Sequence, residues 1–458
     1  MQKTALFILL TMVCGLTACD NTPKSASKTT QTTQQADTPI PAGYAETLDF
    51  SEGLVAVQKE KKGQWYFIDK TGQTILSVPT DYPYNLVGPV QEGLAVLNFV
   101  QVDDSLRVLD AKFGVIDKTG KVVVSPKYAF IGDFSEGFAQ FTNDHHKKGF
   151  IDKTGQEVIP AIYDFATNFH EGLARVSKDG KDYVIDQTGK ELFSVQGKMI
   201  SHFNHGVAKI KENDKYHLID TTGTKITPTD FDFIGEFSEG LATVQKDHQS
   251  GVIDQTGQIV VPIQYDGIGL FHDGLARIKK ADTTELKQDK WGFIDTTGKI
   301  VVPIEYHDAG DFHEKLASVK FGDKWGFIDT TGETVIQPKY DDADEFHEGL
   351  ARVKYKDQWG FIDKTGEVVI PFQYTYVSSF RDGLAQVSDT SLLDLSETSK
   401  AIRFTPHACI DKTGKEVIRI NPSKEKTDCS VNNELVKVKK NNQWYFFDKT
   451  GKIVLPKP

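Results

Sequence analysis

Two hydrophobic patterns alternate along most of the chain. One is Leu-Ala-x-Val; the other is Trp-Gly-Phe-Ile, followed past a short polar stretch by Val-Ile-Pro. Each is four to six residues long, rich in β-branched and aromatic residues, and bounded by turn formers, which predicts strands. No segment sustains the 3.6-residue period of an amphipathic helix. The polar stretch after Trp-Gly-Phe-Ile is Asp-x-Thr-Gly. It suits a type I turn with a glycine bulge, in which Asp bonds the turn backbone and Gly takes positive φ. The segment is therefore a hairpin. A loop such as Lys356-Asp357 joins Leu-Ala-x-Val to it, so the unit is predicted to be a three-stranded meander.

The unit is repeated. Asp-x-Thr-Gly begins at Asp69, Asp117, Asp152, Asp186, Asp220, Asp254, Asp295, Asp329, Asp363, Asp411 and Asp448, most often 34 residues apart. Phe-x-(Glu/Asp)-Gly-Leu-Ala-x-Val precedes each, clean from Phe346 to Val353 and degraded from Val431 to Val438. A meander of this size cannot bury its apolar face alone, so stacked neighbours must supply the core. The Phe of Phe-x-Glu-Gly, present in nine of eleven units, reads as an inter-repeat ladder. Tyr44 stands six residues before Phe50, as Tyr163 stands before Phe169, and the last unit ends at Pro456, so the array starts and stops on whole units. No strand is then left over to lock a ring, and eleven units exceed the roughly four to eight blades typical of propellers. The expected fold is all-β, with residues 44–458 forming eleven three-stranded antiparallel meanders in an open superhelical or solenoid array. A propeller-like ring, or arcs, is the alternative.

Lys290-Trp291-Gly292-Phe293-Ile294-Asp295, Lys324-Trp325-Gly326-Phe327-Ile328-Asp329 and Gln358-Trp359-Gly360-Phe361-Ile362-Asp363 resemble the bacterial WG (KWG) repeat. The resemblance covers about nine tenths of the chain, counted over the eleven units. Six units lack the Trp of the Trp-Gly pair, with Phe113-Gly114, Lys148-Gly149, Tyr183, His217, Gly251 and Cys409 on that strand. The resemblance implies a β-repeat architecture, often found on secreted or surface proteins, and carries no general activity or catalytic residues.

The N-terminus bears on location. Residues 1–18 pair Lys3 with the apolar run Ala5 to Leu16 and read as a signal peptide too short for a stable span. Leu16-Thr17-Ala18-Cys19 resembles the bacterial lipobox, which implies cleavage before Cys19 and acyl chains on it. Several chains give stable anchoring, since each buried methylene contributes about 0.8 kcal/mol. Asp20 resembles the inner-membrane retention signal of enteric lipoproteins; other bacteria do not all follow that rule, so the membrane stays open. After Cys19, residues 20–43 hold no aromatic side chain and form a tether averaging roughly 27 Å end to end. With 53 Lys plus Arg against 64 Asp plus Glu, the net charge is −11, which excludes nucleic acid as the default partner. An acidic body is not held by anionic headgroups either, so the lipid does the anchoring.

Candidate chemistry is sparse. No nucleophile with a base, zinc motif or phosphate loop stands out, so no catalytic residue, metal or cofactor is expected. Acidic side chains at Glu52, Glu92, Glu136, Glu171, Glu239, Asp273, Glu314, Glu348 and Asp382 would form a row in register, able to hold cations or basic partners or simply to cap turns. His170, His272, His313 and His347 sit beside four of these; a pair such as His313 and His347 offers part of a zinc site, and repetition of an exposed turn accounts for them equally simply. Cys409 and Cys429, 20 residues apart, suit a disulfide in an exported protein, the alternative being two buried or free thiols. From the Leu of Phe-x-Glu-Gly-Leu to the next Asp-x-Thr-Gly the usual count is 13 residues, but it is 23 from Leu94, 20 from Leu275 and 27 from Leu384. These insertions, Asn98 to Lys112, Lys280 to Lys290 and Ser388 to Pro406, should share one rim, where repeat proteins place recognition, unless they are drift in exposed turns. The irregular units around Tyr183 and His217 are a further place for a specialised site. The reading is a lipid-anchored envelope binding or scaffold protein for a protein or glycan partner, against a structural spacer; an enzyme is the weakest class.

Overall fold

The computed structural model describes residues 42–458 apart from 62, 79–83, 103–107, 196–197, 281–289, 390–407, 420–424, 427–428, 430, 433 and 457–458. The signal peptide, Cys19 and nearly all of the tether lie outside the described residues. Every described element is a strand, and the strands form eleven antiparallel sheets, or blades, in chain order. Nine blades have four strands, the fifth has three and the last has five. In the eighth blade the strands are Asp308–His313, Leu316–Phe321, Lys324–Asp329 and Thr334–Tyr340, each paired with the next.

The expectation of a three-stranded unit is thus corrected by the first strand. In the ninth blade this is Asp342–His347, a polar sequence in which Ala343 and Phe346 alone are buried. A register shift between these two residues breaks the alternation, so the pattern that marks a strand never appears in the sequence.

The open array is also corrected. The blades close into a ring, and the buried residues form eleven clusters, one at each seam between consecutive blades. The seam that closes the ring unites Phe50, Val55 and Ile68 of the first blade with Leu435, Phe446 and Leu455 of the last. It uses the aromatic contact found at four other seams. Phe446 and Phe50 meet edge to face at 5.4 Å, as Phe293 meets Phe312 at 4.8 Å and Phe327 meets Phe346 at 5.0 Å. Burying each such side chain contributes about 1.5–3 kcal/mol.

Tyr44 is what the sequence misplaced. In the eighth and ninth blades the fourth strand ends on a Tyr paired with the Trp of the third strand, Trp325 with Tyr340 and Trp359 with Tyr374. In the last blade, Trp444 pairs with Tyr44: the Tyr44 N–H donates to the Trp444 carbonyl at 3.0 Å, and the Trp444 N–H donates back at 2.7 Å. The N-terminal segment therefore completes the fourth strand that Ile453–Leu455 begins, and the ring is locked by an exchanged strand end. Buried beside Phe446, the Tyr44 hydroxyl has its pKa pushed up to about 12 by desolvation.

Glycine in Trp-Gly sorts the blades into two kinds. A Cβ on Gly326 would lie 2.4 Å from the Ile336 carbonyl oxygen of the neighbouring fourth strand, and on Gly292 it would lie 2.6 Å from that of Val302. Gly114, Gly149, Gly251 and Gly360 meet the same carbonyl at 2.5–2.7 Å. All six of these blades have a seven-residue fourth strand that bulges over the glycine and ends on Tyr. Where Tyr66, Tyr183, Ala408 or Tyr445 stands there instead, the fourth strand shrinks to three or four residues. With His217, it is reduced to isolated bridges of Tyr216 with Phe231 and Ile219 with Lys225.

Two substitutions test this account. Gly326→Ala should cost about 1–3 kcal/mol through overpacking against a backbone that cannot yield. Tyr44→Ala should cost about 3–5 kcal/mol and speed amide exchange in the first and last blades before the rest. Calorimetry and hydrogen exchange check both.

Candidate binding surface

Each blade presents two ends. At one end, the turn face, lie the Phe-x-Glu-Gly turns and the Asp-x-Thr-Gly turns; at the other, the hairpin face, the second and third strands join and the first strand begins.

The acidic row lies on the turn face and is consumed by the ring. The nine acids hold φ of 49–54°, a left-handed conformation costing about 1–2 kcal/mol for a residue with a Cβ. Eight of them reach into the next blade and accept backbone N–H groups of its turn: Glu136 accepts from Glu171 and Gly172 at 2.6 and 2.8 Å, and Glu314 accepts from Gly349 at 3.0 Å. Asp273 does the same for Lys315 at 2.8 Å. Lysines from the next blade's Asp-x-Thr-Gly turn join in, with Lys118 at 2.7 Å from Glu52 and Lys364 at 3.0 Å from Glu314. Across the closing seam Lys70 lies 2.8 Å from Glu434. The Asp of Asp-x-Thr-Gly is equally occupied. Asp329 accepts from the Thr331 N–H and hydroxyl and from the Glu333 N–H at 2.7–3.0 Å, and all eleven turns repeat this.

The histidines form a row of their own. His272 and His313 have ring centroids 4.8 Å apart, His313 and His347 5.3 Å, and His170 faces His202 at 5.8 Å. Among the described residues no three His, Cys, Asp or Glu converge on a point that could hold a metal ion. Cys409 and Cys429 are joined by a disulfide with Cα atoms 5.8 Å apart. Cys409 holds the position of Phe361 in the ninth blade, so the covalent link stands where Phe361 meets Phe380 one seam earlier.

The hairpin face differs. All three insertions leave from it, between Leu94–Val102 and Val108–Asp117, Leu275–Lys280 and Lys290–Asp295, and Leu384–Ser388 and Ala408–Asp411. The first extends its hairpin strands; the inner parts of the other two lie outside the described residues. On the same face four consecutive blades begin their first strand with an exposed apolar residue: Phe130 (41%), Phe165 (44%), Met199 (68%) and Phe233 (47%). The sequence did not flag these residues, because each opens a strand only two residues long.

The irregular fourth and fifth blades open clefts. One, of about 380 Å³, is lined by Phe193, Lys198, Glu212, His217, Lys225 and Asp230. Its charges are paired internally, Lys198 with Glu212 at 3.1 Å and Lys225 with Asp230 at 2.7 Å. Burial and the nearby Lys225 ammonium hold the His217 pKa below its ordinary value.

A closed ring of eleven radial antiparallel blades, with its repeated polar groups tied into the seams, is a β-propeller. The model of the WG containing repeat matches residues 113–144, 149–181, 184–216, 218–247, 251–283, 291–325, 325–358 and 359–389, more than half of the sequence, and the chain belongs to that family. No curated protein sequence matches it. Among solved structures it is similar to BamB from Moraxella catarrhalis (11% identity, TM-score 0.24, covering 62% of this chain and 94% of that one). It is likewise similar to a virginiamycin B lyase from Staphylococcus aureus (16%, TM-score 0.25, 57% and 94%) and to the tricorn protease (11%, TM-score 0.24, 88% and 60%). Nothing about this chain's function rests on likenesses of that size.

The belt makes a pH prediction. The Lys118 hydrogen bond holds Glu52 below the usual carboxylate range, backbone N–H donation from Gly206 does so for Glu171, and the Thr331 hydroxyl does so for Asp329. A depressed native pKa stabilises the fold above the unfolded-state value, about 4, and that stability is lost as pH falls through the native values. The melting temperature should therefore hold from neutral pH to about 4.5 and fall below it. Replacing Glu52, Glu171 and Glu314 together by Gln should lower the neutral-pH melting temperature and flatten the acid limb.

Proposed function

We propose that this protein is a lipid-anchored scaffold of the bacterial cell envelope that presents its hairpin face to a protein or glycan partner. One observation carries the reading: the three long insertions and the exposed row Phe130, Phe165, Met199 and Phe233 share one face. The acids of the opposite face are spent on the ring itself, so a partner held mainly by a carboxylate row is disfavoured. Exposed apolar side chains on neighbouring blades, beside variable loops, are a usual mark of a recognition surface. The anchor is carried by Leu16-Thr17-Ala18-Cys19 and the tether after it, which let the ring stand off the bilayer. A closed ring does not lengthen as repeats are added, which argues against a spacer.

The test is capture from solubilised envelope and from purified cell-wall material by the full chain, beside one with the loops Asn98 to Lys112, Lys280 to Lys290 and Ser388 to Pro406 trimmed and one carrying Phe165→Ser and Phe233→Ser. A partner kept by the parent and lost from both variants is the expected result. Equal retention by all three, or no specific partner from either source, overturns the reading. Cys19→Ala should move the protein from the membrane to the soluble fraction, which tests the anchor separately.

A further inference from the structure

Because the blades are copies of one unit, each serves as a control for the others. The informative place is the end of the fourth strand, beside the Trp position of the third. In eight blades a buried aromatic residue stands there, seven times a tyrosine and once Phe231. Its ring fills the seam to the next blade. Tyr128 meets Phe141 of the third blade at 4.4 Å between ring centroids and clusters with Ile151, and Tyr163 clusters with Val176 and Ile185 of the fourth. The hydroxyl has its own partner. Tyr128 donates to Glu157 at 2.7 Å, and burial together with the nearby Glu191 carboxylate raises the Tyr163 pKa. Glu157 and Glu191 each open the fourth strand of the next blade.

The fourth blade has a valine in this place. The Val195 N–H donates to the Asp182 carbonyl at 2.9 Å, as the Tyr44 N–H does to Trp444, so the backbone keeps the position and the ring is gone. Among the described residues one other blade does this: in the first, the Val78 N–H donates to the Trp65 carbonyl at 3.0 Å. There the next blade makes good the loss. Phe99 of the second blade is buried in the same cluster as Val78, and a Cβ on Gly114 would lie 3.2 Å from its ring. In the fifth blade Glu212 stands where Phe99 stands, and His217 where Gly114 stands. Glu212 turns to Lys198, at 3.1 Å, and does not replace the ring.

What remains is the cleft of about 380 Å³, within the roughly 300–1,000 Å³ range of small-molecule sites. Ile210 and Ile219 line it, and they hold in the fifth blade the places of Val176 and Ile185, with which Tyr163 clusters one seam earlier. Phe193 lines it too, packed so closely over Gly223 that a Cβ there would lie 2.6 Å from its ring. The wall that holds the hydroxyl partner in the sister seams is also changed. Lys225 takes the place of Glu157 and Glu191 and donates to Asp230 at 2.7 Å, and His217 Nδ1 lies 3.3 Å from the same carboxylate. A hydroxyl arriving there can accept from the ammonium and donate to the carboxylate. Cavities left where a large apolar side chain is absent take up ring compounds of matching size.

We infer that this cleft is a binding pocket for a small molecule carrying a phenol ring, which enters where a tyrosine packs in the sister seams. The ring lies against Ile210, Ile219 and Phe193, and its hydroxyl meets Lys225 and Asp230. Burial of the ring supplies most of the affinity, with the Phe193 contact adding to it. The Lys225–Asp230 pair makes the pocket prefer a hydroxylated ring to a bare one, because hydrogen bonds to charged groups are the stronger kind. The pocket is separate from the hairpin-face partner and does not depend on it.

The experiment titrates the full chain with p-cresol, the tyrosine side chain as a free molecule, and with toluene, its counterpart without the hydroxyl, followed by isothermal calorimetry. Saturable binding of p-cresol is expected, about tenfold tighter than that of toluene. Val195→Tyr supplies the missing ring from the fourth blade itself, and Glu212→Phe supplies the residue that Phe99 provides one deficient seam away. Each should weaken p-cresol binding at least about tenfold without lowering the melting temperature. Lys178→Phe, the matching change in the fourth blade, where Tyr163 already fills the seam, should leave binding unchanged. If Val195→Tyr does not fold, Glu212→Phe decides alone. No saturable binding of p-cresol by the parent, toluene bound as tightly as p-cresol, or binding that survives the filling substitutions overturns the pocket.

Discussion

No blade of this protein can bury its own apolar face, and the closure of the ring follows from that constraint. A four-stranded sheet about seven residues tall gives its Phe, Ile and Val side chains only its neighbour's surface to pack against, so each cluster belongs to a seam rather than to a blade. Eleven blades therefore need eleven seams. An open array would leave the Phe446 face at one end and the Phe50 face at the other in water, and ring closure buries both against each other. The polar network follows the same rule. Carboxylates on one blade satisfy N–H groups in the next turn, and the strained left-handed acids are held by bonds that exist only once two blades have met.

The second controlling feature is steric and local. One missing Cβ on the third strand lets the fourth strand bulge across it and run to its tyrosine, and a side chain at that place shortens the strand. This divides the ring. The sixth to ninth blades form an unbroken regular run, whereas the outer strand shrinks to four residues in the fourth blade, with Tyr183, and to isolated bridges in the fifth, with His217, and clefts open there. Irregularity in a repeat protein is informative because the regular copies show what the position normally does. A histidine where glycine belongs marks a departure that packing alone does not require.

The two faces divide the work. Turn-face acids and Asp-x-Thr-Gly turns, which in a sequence look like a ligand row, are structural, and their charge is largely spent on backbone N–H groups and lysines. The hairpin face carries the insertions and the exposed apolar row, so variation accumulates where the ring does not need the residues. This asymmetry is why the proposed partner is assigned to that face. A net charge of −11 on the whole chain is then a poor guide to what it binds.

Much was legible in the sequence alone: the all-β class, the eleven units, the Asp-x-Thr-Gly hairpin and the Phe ladder all rest on local pattern and repetition. The first strand was not, because Asp342–His347 buries two residues across a register shift and reads as polar loop. Closure was not either, although its signal was present. A unit drawn to begin at Tyr44 begins with the last residue of the preceding blade's fourth strand, and at the N-terminus that preceding blade is the eleventh. Local sequence sets where strands and turns fall, since these depend on neighbours a few residues away. Whether Tyr44 pairs with Trp444, 400 residues distant, is decided by the sum of small rotations over ten seams, and only the folded ring contains that sum.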